Sequence, residues 1–426
     1  MPIFDHEVIP HLETGKFEGL NNSDELIMPS YDGFGLVNLT PTVAKWLGAG
    51  SLPAPVLNRN ILDQFEDRYQ NVVLILVDAL GYNQLIQLMD SGKAPLWQAQ
   101  LERGKLFPLT SISPSTTASA LTTIWTGAAP NQHGVIGYEM WYKELGLIMN
   151  NILHTPINYR GDIGGLNRAG FEPTEFMNQI PLGKRFSNSG VESHAFLPAG
   201  IANSGLSQMQ LPGSHLHPFT AESDLFLNMR DLLNASSRKP RFLYAYWSYV
   251  DGLMHRYGTY DQRTTEQFFD FSGALFRLLM GGLDEDVKKE TLILLTADHG
   301  SLETPVNNHY DLSNHPGLTD QLIMAPTCEG RLPFLYIKPG QTEKVIEYFD
   351  HTWPGEFAFL NRQEVIDLQL LGNGQNHPDL ENRIGDLVAI PSGSTYLWWA
   401  NRPNLMLGRH GGLHRDEMLV PLFALE

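Results

Sequence analysis

Val72-Val73-Leu74-Ile75-Leu76-Val77-Asp78 is the stretch on which the fold turns. Six consecutive apolar residues, four of them β-branched, precede an aspartate. A strand with one wet face would alternate apolar and polar residues. An unbroken apolar run suits a strand covered on both faces, as in a parallel sheet. Two similar runs follow. Leu243-Tyr244-Ala245-Tyr246-Trp247 ends shortly before Asp251, and Thr291-Leu292-Ile293-Leu294-Leu295-Thr296 ends just before Asp298. Each run delivers an aspartate just past its C-terminal end, the edge at which open α/β sheets bind ligands. The expected fold is α/β: a largely parallel central sheet with helices on both faces, carrying cap insertions.

Outward from these strands, residues 1–70 are punctuated by Pro and Gly and read as an N-terminal lead-in. Helices are expected there at Thr42–Trp46 and near Ile61–Arg68. Residues 71–426 are expected to form the main domain. Insertions are expected near 130–240, which is rich in Gly, Asn and Pro, and near 340–392, where a helix at Thr342–Phe349 and the run Ala389-Ile390 stand among polar breaks. A helix over Thr265–Leu279 would bury Phe268, Phe271, Leu275 and Leu278 on one face.

The bulk numbers narrow the function. A chain of 426 residues with 42% hydrophobic and 18% charged residues buries a real core, and its length suits one large α/β body with insertions. A formal charge of -18 repels nucleic acid, and no basic run offsets it. No apolar run is long enough for a membrane span. The first residues, MPIFDHEVIPHLETG, lack a basic-then-apolar secretory pattern, and Cys328 has no second cysteine to pair with. These features lead to the expectation of a cytoplasmic protein. Nothing in the sequence bears on oligomeric state.

Five short motifs carry chemistry, and each has a bland reading beside the sharp one. Asp251 and His255 stand four apart, so one helical face presents both to a single cation; a surface pair or a cap would look the same. Thr296-Ala297-Asp298-His299-Gly300 allows a sharp turn that presents Asp and His together, though Asp and Gly are also ordinary turn residues. Asp78 alone reads equally as an N-cap. His410 lies beside Gly411 and Gly412, which permit close backbone approach, and His414 competes with it in the same loop. Finally, Ser113-Pro114-Ser115-Thr116-Thr117-Ala118-Ser119-Ala120-Leu121 reads as a helix start. Free N–H groups there favour an anion, such as an alkoxide or a phosphate oxygen.

Together the motifs say more. Three Asp and three His suffice for two oxygen-and-imidazole metal sites. Two divalent cations bring four positive charges; three carboxylates and one Thr alkoxide balance them. A bound metal lowers the pKa of a hydroxyl. Two such ions about 3.5–4 Å apart clamp the attacking and leaving oxygens of an in-line displacement.

In this order the motifs resemble the alkaline-phosphatase superfamily, and most closely its nucleotide pyrophosphatase/phosphodiesterase branch. The resemblance runs through Val77-Asp78-Ala79, then Thr117 ahead of Thr126-Gly127 and His133-Gly134, Asp251-x-x-x-His255, Asp298-His299-Gly300 and the late His410-Gly411. It covers roughly residues 72–134, 242–302 and 404–424. It implies one metal held by Asp251, His255 and His410, and another held by Asp78, Asp298 and His299, with the nucleophile bridging them. Counting back from Thr126-Gly127 aligns that nucleophile with Thr117, and Thr116 is the rival one residue away. Zinc is the metal the resemblance implies, and the donors are also compatible with manganese.

One departure stands out. Eukaryotic-type members follow the nucleophile with Phe-Pro-Asn-His, whose Asn helps hold a phosphoryl oxygen; here Ala118, Ser119, Ala120 and Leu121 take those places. Backbone N–H groups of residues 117–118 would have to replace it, which loosens the link to nucleotide substrates. No Lys or Arg occurs from Leu106 to Tyr142. A monoesterase would need one nearby to neutralise the extra phosphate charge, unless Arg160, Arg168 or Arg409 folds over the site. The pattern tilts toward a diester or pyrophosphate and a phospho-threonine intermediate. A Cys-x-Pro-x-Arg sulfatase motif is missing. A phosphomonoesterase, a cofactor-independent phosphosugar mutase and a non-catalytic metal-binding protein are the alternatives. The partner expected is a small phosphate ester or nucleotide-like molecule, with no nucleic acid and no membrane.

Overall fold

The computed structural model describes residues 8, 11, 12, 17, 19–92, 94–157 and 165–425. Its main sheet has seven strands: β1 (Asn71–Val77), β2 (Lys105–Thr110), β3 (Glu192–Pro198), β4 (His215–Phe219), β5 (Arg241–Trp247), β6 (Thr291–Thr296) and β7 (Leu419–Leu425). The spatial order is β2-β7-β6-β1-β5-β3-β4. β1 lies parallel between β5 and β6, with Val77 opposite Trp247 and Leu76 opposite Thr296. Only β7 runs antiparallel to its neighbours, β2 and β6. Every residue of β1, β5 and β7 is buried. The unbroken apolar runs are thus the sheet's centre, and the expected α/β architecture is what forms.

Because β1, β5 and β6 share direction and register, their C-terminal ends fall on one edge, and Asp78, Asp251 and Asp298 emerge there. The helices that matter are α1 (Tyr82–Asp90), α2 (Thr117–Thr126), α3 (Glu222–Asn234), α4 (Tyr249–Tyr257) and α5 (Gln262–Ala274). All ten residues of α2 are buried. Its small residues Ala118, Ser119 and Ala120 let it lie deep, and Gly127, at φ 63°, closes it in the left-handed conformation. α5 continues through a π turn at Leu275–Leu279. The wider turn shifts the register, so Leu279 is buried where simple 3.6-residue periodicity assigns Leu278.

Within the stretch expected as the 130–240 insertion, β3 and β4 belong to the main sheet. Glu192-Ser193-His194 and His215-Leu216-His217 lack a continuous apolar run because these strands lie toward an open edge. Residues 139–156 instead join a second, antiparallel sheet. It runs Phe357–Asn361, Leu387–Pro391, Leu332–Leu335, Thr327–Glu329, Glu139–Tyr142, Leu147–Asn150 and Thr155–Pro156. Two stretches far apart in sequence thus build one layer beside the aspartate edge. In the lead-in, helices form at Leu39–Trp46 and Arg59–Leu62. The second starts on Asn58, whose side chain accepts the Asn60 N–H, and ends well short of Arg68. Leu36, Val43 and Ile61 are fully buried against the body. Among the described residues, no helix is long and apolar enough to cross a membrane.

Arg331 and Glu417 form a fully buried ion pair at 2.7 Å, and Glu417 also accepts the Gly412 N–H at 3.0 Å. It therefore ties the second sheet to the loop that carries His410. Glu417→Ala would leave the guanidinium buried without its counter-charge, and is expected to cost about 3–5 kcal/mol of unfolding free energy. Urea denaturation measures this, and a loss below about 1 kcal/mol, typical of a surface pair, would contradict it.

Candidate metal centre

Asp78 follows β1 directly, and the chain then turns sharply. Ala79 takes φ 63°, and its N–H donates to Asp298 Oδ1 at 3.2 Å. A non-glycine residue in that region is strained and persists where its surroundings demand it. Asp298 and His299 sit on the neighbouring turn after β6. Gly300 is required there: a Cβ would fall 1.9 Å from the Asp416 carbonyl oxygen. Asp251 and His255 lie on one face of α4, and their side chains meet at 3.2 Å. His410 enters from the late loop and stacks on His299, ring centroids 3.7 Å apart and planes at 15°.

The three histidines share one arrangement. Nδ1 of His255 faces the Gly408 carbonyl at 2.8 Å, Nδ1 of His299 the Gly300 carbonyl at 2.9 Å, and Nδ1 of His410 the Ser115 carbonyl at 3.1 Å. With Nδ1 protonated and donating, each ring presents the Nε2 lone pair to the centre, the orientation a metal ligand needs. Two groups of donors have all ligand atoms within 4.8 Å of one another: Asp78, Asp298 and His299, and Asp251, His299 and His410. His255 adjoins the second group through Asp251, and His299 Nε2 lies 3.5 Å from Asp78 Oδ1 and 3.4 Å from Asp298 Oδ2.

These residues fit a cation by a direct observation. Asp78 Oδ1, Asp251 Oδ1 and Asp298 Oδ2 are buried and accept no hydrogen bond. Burial, and then the negative charges of Asp298 and Asp251, push the Asp78 carboxyl well above its ordinary range. Burial opposes ionisation of Asp251 too, but His255, His410 and His299 outweigh it and hold that carboxyl low. Burial works against a charged His255, yet the Asp251 carboxylate raises it to about 8. His410 is driven far below its usual value by burial and by His299. A dehydrated set of carboxylates and imidazoles without another cation is electrostatically costly, and divalent ions remove that cost.

Thr117 is the first residue of α2, and its Oγ1 lies 3.2 Å from His299 Nε2. The first intrahelical bond runs from the Ala120 N–H to the Thr116 carbonyl at 2.9 Å, so the N–H groups of 117–119 precede the ladder. Thr116 turns elsewhere and donates to Glu329 Oε1 at 2.5 Å. His414 faces Glu25 at 3.3 Å and caps the turn at Asp416. Arg409 reaches the adjoining cavity, but its guanidinium is held by Thr304, Met406 and Asn404. Arg168 does not line the cavity, and Arg160 lies outside the described residues.

Sequence reasoning missed three neighbours. The Tyr246 hydroxyl donates to Asp78 Oδ2; its one signal was a phenol inside a buried strand, whose hydroxyl must find a partner. Glu139 and Glu329 line a cavity of about 430 Å³ with Thr117, Asp251, His255 and His410. Burial raises the Glu329 carboxyl to about 8, against the Thr116 hydrogen bond. No local pattern marked either glutamate.

A family model described as type I phosphodiesterase / nucleotide pyrophosphatase matches residues 72–413. No curated protein matches. Among solved structures, murine ectonucleotide pyrophosphatase/phosphodiesterase 5 is similar at 14% identity and TM-score 0.60, over 83% of this chain and 87% of that one. Its human counterpart is similar at 15% identity and TM-score 0.60, over 83% and 87%. Phosphonoacetate hydrolase from Sinorhizobium meliloti 1021 is similar at 18% identity and TM-score 0.61, over 83% and 89%.

The raised Asp78 carboxyl has a consequence for the metal-free protein. A carboxyl that holds its proton more tightly folded than unfolded contributes stability below the ordinary carboxylate range. That contribution is lost as pH rises through the folded value. Asp78→Asn is therefore expected to raise the Tm of chelator-treated protein at pH 8 by a few degrees, and to reduce the gain that added zinc or manganese confers on the parent. A variant less stable than the parent in chelator at pH 8 would contradict this reading.

Proposed function

The chain belongs to the type I phosphodiesterase / nucleotide pyrophosphatase family, and from that membership we propose that it is a two-metal phosphodiesterase with Thr117 as its nucleophile. The observation that carries the proposal is the position of Thr117. Its hydroxyl stands at the N-terminus of a buried helix, 3.2 Å from His299 Nε2, and His299 belongs to both donor groups.

Asp251, His255 and His410 would hold one ion, and Asp78, Asp298 and His299 the other. When bound, two divalent ions supply the positive charge that favours a Thr117 alkoxide and offsets charge on the phosphoryl oxygens. Zinc suits these donors, as does manganese. Thr117 Oγ1 attacks phosphorus in line; the P–Oγ1 bond forms, and the bond to the leaving alkoxide breaks. Water then replaces Oγ1 on phosphorus and restores the threonine. The N–H groups of residues 117–119 are placed to donate to a phosphoryl oxygen, the role that Ala120 cannot fill in place of the family's Asn.

A diester is favoured because few cations are free to meet a second phosphate charge. Arg409 is held by its own neighbours, and Arg402 lies at the exposed rim. The structural neighbours support a small phosphorus-containing substrate: the phosphonoacetate hydrolase is described in complex with phosphonoformate, and a threonine-to-alanine form of the murine protein is described as inactive and in complex with AMP. The lone, buried Cys328 supports a reducing compartment such as the cytoplasm.

Thr117→Ala is expected to abolish turnover of a bis-aryl phosphate diester while bound metal, measured by elemental analysis, stays near the parent's. Full activity in that variant overturns the nucleophile assignment, and faster parent hydrolysis of an aryl phosphate monoester overturns the diester preference. Tyr246→Phe removes the hydrogen bond to Asp78 and is expected to weaken metal affinity about 10–100-fold. Chelator competition reads this directly, and an unchanged affinity would deny Tyr246 a part in orienting Asp78.

A further inference from the structure

The departure at Ala120 leaves a role open. Where eukaryotic-type members carry an Asn that helps hold a phosphoryl oxygen, this chain has a buried methyl group. Ser119, the nearest polar side chain, donates to the Val135 carbonyl at 2.7 Å instead. A substitute stands on the second sheet. Glu329 ends the strand Thr327–Glu329 and lines the reaction cavity with Thr117, Asp251, His255 and His410.

Two segments of the candidate centre hold Glu329 in place. Its Oε1 accepts the Thr116 hydroxyl at 2.5 Å, one residue before Thr117. Its stem lies against Gly411, one residue after His410, where a Cβ would fall 2.5 Å from Glu329 Cβ and Cγ. Gly411 in turn donates its N–H to Ser115 Oγ at 3.2 Å, which closes the ring of contacts around the carboxyl. Cys328, just before Glu329, takes φ 75°, and strain of that kind persists only where the surroundings fix it. Among the described residues, Glu329 Oε2 has no hydrogen-bond partner, and it is not sealed from solvent.

Charge decides what that oxygen can do. The diester proposed for this site carries a negative charge, and an ionised carboxylate at the same wall would repel it. A protonated carboxyl instead donates through Oε2–H, while Oε1 goes on accepting from Thr116. Burial raises the group to about 8 against the Thr116 hydrogen bond; Glu139 and Asp251 add to the rise, and His255 opposes it. A phosphoryl anion at the centre raises it further and bound cations lower it, so the proton is to be read in the loaded complex. A neutral carboxylic acid aimed at developing charge in a water-poor site is an effective donor.

We propose that Glu329 is a further catalytic residue, whose Oε2–H donates to a phosphoryl oxygen of the substrate in the role left open at Ala120. This rests on the diesterase reading above. The proton stays on Glu329 throughout, and the bonds formed and broken are those already given for Thr117.

The test uses metal-loaded protein and bis-p-nitrophenyl phosphate. Glu329→Ala is expected to lower kcat about 100-fold, the cost of one lost oxyanion donor, with KM changed far less. Glu329→Gln keeps a neutral donor and is expected to stay within about 10-fold of the parent. In the parent, kcat is expected to fall at alkaline pH as the carboxyl ionises, and in Glu329→Gln that fall is absent. Thr116→Val removes the hydroxyl that Glu329 grips and is expected to cost far less than Glu329→Ala. The proposal is overturned by an Ala variant as active as the parent, by a Gln variant as impaired as the Ala variant, or by a Gln variant with the parent's alkaline fall. A Thr116→Val loss equal to that of Glu329→Ala also overturns it, because Glu329 then acts through Thr116 as a positioning residue. Where elemental analysis shows that Glu329→Ala has lost metal, the alkaline limbs of the parent and Glu329→Gln decide. A parent that does not hydrolyse the diester overturns the diesterase reading instead. Calorimetric binding of orthovanadate then decides the donor separately: binding about 10-fold or more weaker in Glu329→Ala, with Glu329→Gln near the parent, supports it, and equal Kd values for all three reject it.

Discussion

Three carboxylates gathered in a dehydrated place dictate how the strand ends and loops around them are arranged. Asp78, Asp251 and Asp298 each keep a buried oxygen that accepts no hydrogen bond. Such groups do not sit together in low dielectric without strong compensation. The surroundings read as a scaffold for that compensation. The parallel strands β1, β5 and β6 bring the acids to one edge, Ala79 accepts strain to turn the chain, and Gly300 admits a backbone carbonyl where no side chain fits. Three backbone carbonyls face the Nδ1 atoms of the histidines and leave the Nε2 atoms to the centre.

That arrangement also explains why chemistry is proposed at Thr117 and not at its neighbour. Both hydroxyls stand at the start of a helix and differ by one position. The extended N-cap conformation of Thr116 turns its hydroxyl to Glu329, while Thr117, the first helical residue, meets His299. A helix start thus supplies two different hydroxyls to two different walls. One wall carries the candidate metal donors, and the other carries Glu139 and Glu329.

The sheet's centre was legible because a doubly covered strand needs an unbroken apolar run, and β1, β5 and β6 have one. The motif residues lie together because each stands at a strand end, at i,i+4 spacing, or beside glycines that permit close approach. The outer strands β3 and β4 were not legible, since His194 is a buried histidine that meets His217 at 3.0 Å, and His215 and His217 break the apolar pattern on the partly exposed edge strand β4. Nor was the acidic wall. Glu139 and Glu329 are 190 residues apart by number and meet through one cross-strand pair and the backbone conformation of Cys328, and no local periodicity records such a meeting. Tyr246 sits in an apolar strand run, and only the fold sets Asp78 across from its hydroxyl.

Whether these donors hold two ions is read from anomalous diffraction at the zinc edge, with crystals of zinc-loaded protein. Two peaks per chain are expected, one among Asp78, Asp298 and His299 and one among Asp251, His255 and His410. A single peak, or peaks only at other residues, would contradict the two-ion centre.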